Sequence, residues 1–191
     1  PPSAELLWFA PEAVRAFLMA GEADMAKSWF GVLRASALFN PESAAAVAAL
    51  RPGFRLASST EVADWKPADP GTWREKAKAT DEGRRQATLV FSLFDAFGEP
   101  LPDGVWATLL ESPERVTAPV VQPPLWFRLR DAAAAARTGE TVLLCLLTLG
   151  SGGPTAVDPL TLRDVVVRLR AVEQEPDARA LAVEAALAAG I

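Results

Sequence analysis

The stretch Asp158-Pro159-Leu160-Thr161-Leu162-Arg163-Asp164-Val165-Val166-Val167-Arg168-Leu169-Arg170-Ala171-Val172 decides the fold class. Leu162, Val165, Val166, Leu169 and Val172 recur at three- and four-residue spacing, and Arg163, Asp164, Arg168 and Arg170 fall between them. That period belongs to an amphipathic helix with one apolar stripe. Asp158 supplies a side-chain oxygen for the first amides, and Pro159 removes one orphan N–H at the first helical position. A helix over 159–173, buried along one side, is the expectation.

The same punctuation recurs along the chain. Pro11, Pro41 and Pro70 also stand at helix starts, the last two behind Asn40 and Asp69. Gly21, Gly98, Gly139 and Gly190 follow apolar-periodic stretches, where a left-handed residue closes a helix. Helices are predicted at about 11–20, 22–38, 41–51, 58–65, 70–79, 82–97, 103–111, 125–137, 140–149, 159–173 and 177–189. Phe54 to Ala57 and Val116 to Val121 are the best candidates for extended chain, and both are short and bordered by proline. The fold class is therefore all-α. The last helix, Ala178 to Ala189, is apolar nearly all round with few large side chains, so it is expected to sit centrally with close neighbours.

Three pairs of helices are joined by short turns, at Leu18 to Glu22, Ala136 to Glu140 and Glu173 to Asp177. Short connections make the joined helices antiparallel neighbours, so the chain reads as helical hairpins, either loosely α-solenoid-like or an irregular helical bundle. Between Glu99 and Pro124 lie six prolines. They mark a stiffened connection, leaving one domain over 1–191 with a possible division into lobes of about 1–111 and 125–191 joined by 112–124.

Around the first hairpin, Gly21, Ala26, Phe30 and then Ala37-Leu38-Phe39-Asn40-Pro41 with a following alanine-rich helix make residues 11–51 resemble a tetratricopeptide-type repeat. The proline comes about three residues late for that pattern, Lys27 stands where an apolar residue is usual, and the first helix lacks the pattern's tryptophan and tyrosine positions. The resemblance implies stacked hairpins with a groove for a peptide or protein partner.

The residue inventory removes most catalytic kits. There is no histidine and no tyrosine, and the one cysteine, Cys145, lies in the run Val142-Leu143-Leu144-Cys145-Leu146-Leu147. A thiol without a base or positive field is not a nucleophile, so Cys145 reads as a small buried hydrophobe. Histidine-dependent triads and zinc sites are excluded, no calcium-loop or phosphate-loop pattern occurs, and no cofactor is expected. Gly150-Ser151-Gly152-Gly153-Pro154 reads as a connection between hairpins. Paired carboxylates are the surviving enzymatic option, because two acids can hydrolyse a glycosidic bond without histidine. Glu42-Ser43 and Glu111-Ser112 superficially resemble the Glu-Ser of helical muramidases and lytic transglycosylases, without the surrounding pattern.

The net charge of −5 is dispersed, and the basic residues Arg74, Lys76, Lys78, Arg84 and Arg85 are interleaved with Glu75, Asp81 and Glu82. No one-sign stripe for phosphate binding results, so nucleic acid is not an expected partner. The longest apolar run, Val142 to Leu149, is far short of the ~20 residues of a membrane span. The chain opens Pro1-Pro2-Ser3 without a leader pattern, which reads as a piece of a larger soluble protein, bacterial in its alanine and arginine bias, with its compartment left open between cytoplasm and periplasm. Trp29 and Trp126 lie on helical stripes and are expected in the core. Trp65 and Trp73 flank the polar segment Lys66 to Thr72, where aromatics beside charges make interface anchors. The sequence reading is thus a non-enzymatic protein-interaction or scaffold module with Trp65, Lys66 and Trp73 as its partner contact; the alternative is a carboxylate-dependent hydrolase acting on a polysaccharide.

Overall fold

A computed structural model describes residues 2–57, 79–101, 103–111 and 121–191. Among these residues there is no strand. A short 3-10 segment, Ala4–Phe9, leads into α1 (Ala10–Met19), α2 (Ala23–Ser36) and α3 (Pro41–Ala57). Then come α4 (Asp81–Ala96), the short α5 (Val105–Leu110), α6 (Pro123–Ala134), α7 (Thr138–Leu149), α8 (Pro159–Ala171) and α9 (Glu175–Ala188). The predicted helices at 58–65 and 70–79 fall outside the described residues, apart from the last residue of the second.

The three sequence-predicted hairpins α1–α2, α6–α7 and α8–α9 all pack against themselves. Their start signals act as expected: Asp158 accepts hydrogen bonds from the backbone N–H groups of Leu160 and Thr161, and Asn40 accepts one from Glu42. Gly21, Gly98 and Gly190 take positive φ at helix ends. Gly139 does not, because it lies in the first turn of α7; the left-handed residue of that hairpin is Ala136, at φ 51°.

Proline 52 does not end α3, and Phe54 to Ala57, expected as a candidate for extension, are helical. Burial outweighs the backbone hydrogen bond that proline removes. Phe54 and Leu56 are in the core, with the Phe54 ring 4.5 Å from that of Phe30 on α2.

Two helices organise the interior. The C-terminal α9 packs on α1, α3, α4 and α8, as its alanine-rich surface predicts. Ala178, Ala182 and Ala186 are fully buried, whereas the larger Leu181 is only partly so. Small side chains let several neighbours approach one helix closely. Helix α8 was expected to pack along one side, yet every residue from Thr161 to Arg170 is at least half-buried, because α4, α6, α7 and α9 surround it. Its polar face is covered by specific pairs: Arg163 with Asp95 of α4 at 2.7 Å, and Asp164 accepting from the Trp126 indole N–H of α6 at 2.9 Å. Trp126 is consequently a rim residue and not core, while Trp29 is buried as expected.

The ends of α3, α4, α8 and α9 meet at one polar junction. Arg179 of α9 donates to the carbonyl of Leu56 near the end of α3 at 2.9 Å, and Arg170 of α8 donates to the carbonyl of Ala96 at the end of α4. The two guanidiniums stand over the Phe97 ring, 4.6 Å and 5.1 Å from its centroid. Glu175 pairs with both, each at 2.7 Å. Partial burial works against ionisation of Glu175, but Arg170 and Arg179 outweigh it and hold the carboxyl below the usual glutamate range. The stability this pairing contributes is present above the ordinary glutamate pKa and is lost as pH falls through the lowered value.

Replacing Arg179 by Met should cost about 1–3 kcal/mol, since it leaves the buried helix-end carbonyl of Leu56 without its donor. Urea unfolding followed by circular dichroism will read the cost, and an unchanged midpoint would show that the junction contributes nothing. Glu173 ends α8 at φ 64°, a conformation that suits glycine. Glu173→Gly should therefore stabilise by about 0.5–1 kcal/mol, seen as a higher midpoint in the same assay; a lower midpoint would contradict this.

Candidate interaction surfaces

Trp65, Lys66 and Trp73, the sequence-predicted contact, lie outside the described residues. Ser112 of the Glu111-Ser112 pair does as well. The remaining chemical candidates resolve into structural roles. Glu42 is exposed in the first turn of α3, where a carboxylate meets the positive end of the helix. Glu99 is ion-paired with Arg55 at 2.5 Å, and Asp95 is taken by Arg163. Among the described residues no group of three or more Cys, Asp or Glu side chains could hold a metal ion.

Cys145 is buried on the inner side of α7. Burial pushes its thiol up to about 12. Glu140, at the N-terminal end of α7, moves the other way: hydrogen bonds from Arg137 and Arg128 hold it below the usual glutamate range. Among the described residues, the two carboxyls with a shift, Glu140 and Glu175, both favour the ionised form. A general acid for glycosidic hydrolysis requires the opposite shift.

Two surface features stand out instead. The first is an open groove of about 560 Å³ between α2 and α3, lined by Gly31, Arg34, Ala35, Ala37, Leu38, Val47 and Arg51. At its rim the turn after α2 leaves Leu38 77% and Phe39 90% exposed. Gly31 lies in the groove with open space around it, and a Cβ there would meet nothing within 4 Å. The hairpin puts the groove there because the Ser36 and Ser43 hydroxyls bond at 3.0 Å, and Ser36 and Asn40 close the turn between them. The Leu38-Phe39 pair is readable in the sequence as an apolar pair before a cap, but only packing decides that no described residue covers it. The second feature is the outer face of α7, where Leu143, Leu146 and Leu147 are exposed.

No family model matches the chain, and no curated protein or solved structure is significantly similar to it.

The raised thiol pKa predicts that folded protein will react very slowly with a chromogenic disulfide reagent at pH 8, and that denaturant will release one equivalent of thiol from the one cysteine. Fast reaction of the folded chain would mean that Cys145 is accessible.

Proposed function

We propose that the chain is a non-enzymatic protein-interaction module whose α1–α3 region holds a peptide segment of a partner, as expected for a tetratricopeptide-type hairpin. The carrying observation is the α2–α3 groove, apolar along its floor, with Arg34 and Arg51 in its lining and Leu38 and Phe39 at its rim. Apolar surface excludes water from a bound segment, and guanidiniums select carboxylates over other groups. The fitting ligand is therefore an extended or helical segment carrying an apolar anchor and an acidic residue. Trp65, Lys66 and Trp73 form the second contact in this reading. The hydrolase alternative gains nothing from Glu140 and Glu175, which favour the charged form.

Selection of a random displayed-peptide library on the immobilised protein tests the proposal. Peptides combining apolar and acidic residues should be enriched. Their affinity should fall roughly tenfold for Leu38→Ser/Phe39→Ser and for Gly31→Met, which places a side chain in the groove at a site open at the Cβ, and also for Trp65→Ala/Trp73→Ala. No enrichment, or enriched peptides indifferent to the groove variants, would overturn it.

A further inference from the structure

The chain carries on its own surface a segment of the kind that suits the α2–α3 groove. The 3-10 segment Ala4–Phe9 ends in two aromatic residues. The Trp8 ring stands 5.7 Å from that of Phe9, and Phe9 meets the buried Trp29 of α2 edge-on at 5.9 Å. Trp8 is the outermost ring of this ladder and is 78% exposed. Glu5 lies one 3-10 turn before it, also exposed, and among the described residues it has no ion-pair partner. An apolar anchor backed by two further rings thus projects from the fold with a carboxylate three residues away.

The ladder ties this anchor to the side of α2 that faces away from its own copy's groove. With 3.6 residues per turn, Gly31 lies about 200° round the helix from Trp29. Arg34, Ala35 and Leu38 follow Gly31 at three-, four- and seven-residue spacing and fall on that same far side, beside α3. Donor and groove therefore flank α2 on opposite sides.

We infer that the occupant of the groove is Trp8 of a second copy of the chain, in a two-fold pair in which each copy inserts its 3-10 segment into the other's groove. The inference rests on the groove being the binding site proposed above and names its partner. Apolar shape matches first: Gly31, Ala35, Ala37 and Val47 are small lining residues, and about 560 Å³ is ample room for one indole, with Leu38 and Phe39 at the rim to cover it. Charge matches next, because Glu5 brings a carboxylate to the groove that Arg34 and Arg51 line. A guanidinium carries five N–H donors, so an arginine already in contact within its own chain still has an edge to offer a carboxylate. Symmetry closes the pair. A two-fold axis running along α2 sets the donor side of each copy over the groove side of the other, and reciprocal exchange ends at two copies where a one-way contact would propagate. Two buried indoles and their rims make a small interface, so the dimer is weak and depends on concentration.

Sedimentation velocity on the whole 191-residue chain over about 1–400 µM tests this. Wild type should pass from monomer to dimer and no further. Trp8→Ser removes the anchor, and Gly31→Met places a side chain in the groove at a site open at the Cβ. Each should weaken association roughly tenfold or more with an unchanged circular dichroism spectrum. Mixed together, the two variants should form a dimer tighter than either forms alone, since Gly31→Met keeps Trp8 and Trp8→Ser keeps the groove. Wild type that stays monomeric, a dimer indifferent to Trp8→Ser, or a mixture no more associated than its components overturns the inference; growth beyond the dimer overturns the two-fold closure. Peptides selected on the groove should bind Trp8→Ser as well as they bind wild type. A monomeric chain that still captures them overturns only the second copy as occupant, whereas a chain that neither associates nor captures peptide overturns the groove reading as well.

Discussion

The junction of Arg170, Arg179, Glu175 and Phe97 joins the ends of α3 and α4 to the final hairpin, α8–α9, which is distant from them in sequence. Helix C-termini expose carbonyls that must find donors. The carbonyls of Leu56 and Ala96 find them in arginines contributed by the last hairpin. Each guanidinium meets three demands at once: it donates to a helix-end carbonyl, lies over an aromatic face and pairs with one shared carboxylate. Polar groups used this way specify which helix ends come together, a task that nonspecific burial of alanine surface cannot perform. The Arg55–Glu99 pair, partly buried, tightens the same region from the ends of α3 and α4.

With those ends pinned, α9 can act as the central post. Its alanines allow α1, α3, α4 and α8 to approach it closely, and one continuous set of buried side chains runs from Ala10 to Ile191. Gln86 of α4 extends this tie by donating to the carbonyl of Ala189 at 2.7 Å. The hairpins at the two flanks are held from one side only, which is why exposed apolar surface collects at the α2–α3 turn and on the outer face of α7. The same arrangement that fills the interior leaves these faces exposed.

Local signals were legible wherever one residue type performs one task. Asn40 and Asp158 cap the helices they precede, the stripe of Leu162, Val165, Val166 and Leu169 is buried, and the three short turns join packed hairpins. Where local rules were insufficient, burial supplied the missing term. Pro52 continues a helix because Phe54 and Leu56 reach the core, and the polar side of α8 is enclosed because Asp95 and Trp126 supply partners for Arg163 and Asp164. Trp126 lay on a helical stripe, yet its indole N–H points to Asp164 at the surface; periodicity gives a face, but not which neighbour occupies it.

By itself the amino-acid sequence determined the all-helical class, the hairpin connectivity and the buried setting of Cys145. These follow from 3.6-residue periodicity, caps, turn lengths and residue inventory, all properties of near neighbours in the chain. Only the tertiary structure decided that arginines of the final hairpin cap the ends of α3 and α4, that a groove opens beside Leu38 and Phe39, and that one face of α7 is left bare. Those depend on which helices meet and which faces are left over, as where Arg179 reaches Leu56 across 123 residues, and no short-range pattern encodes such an outcome.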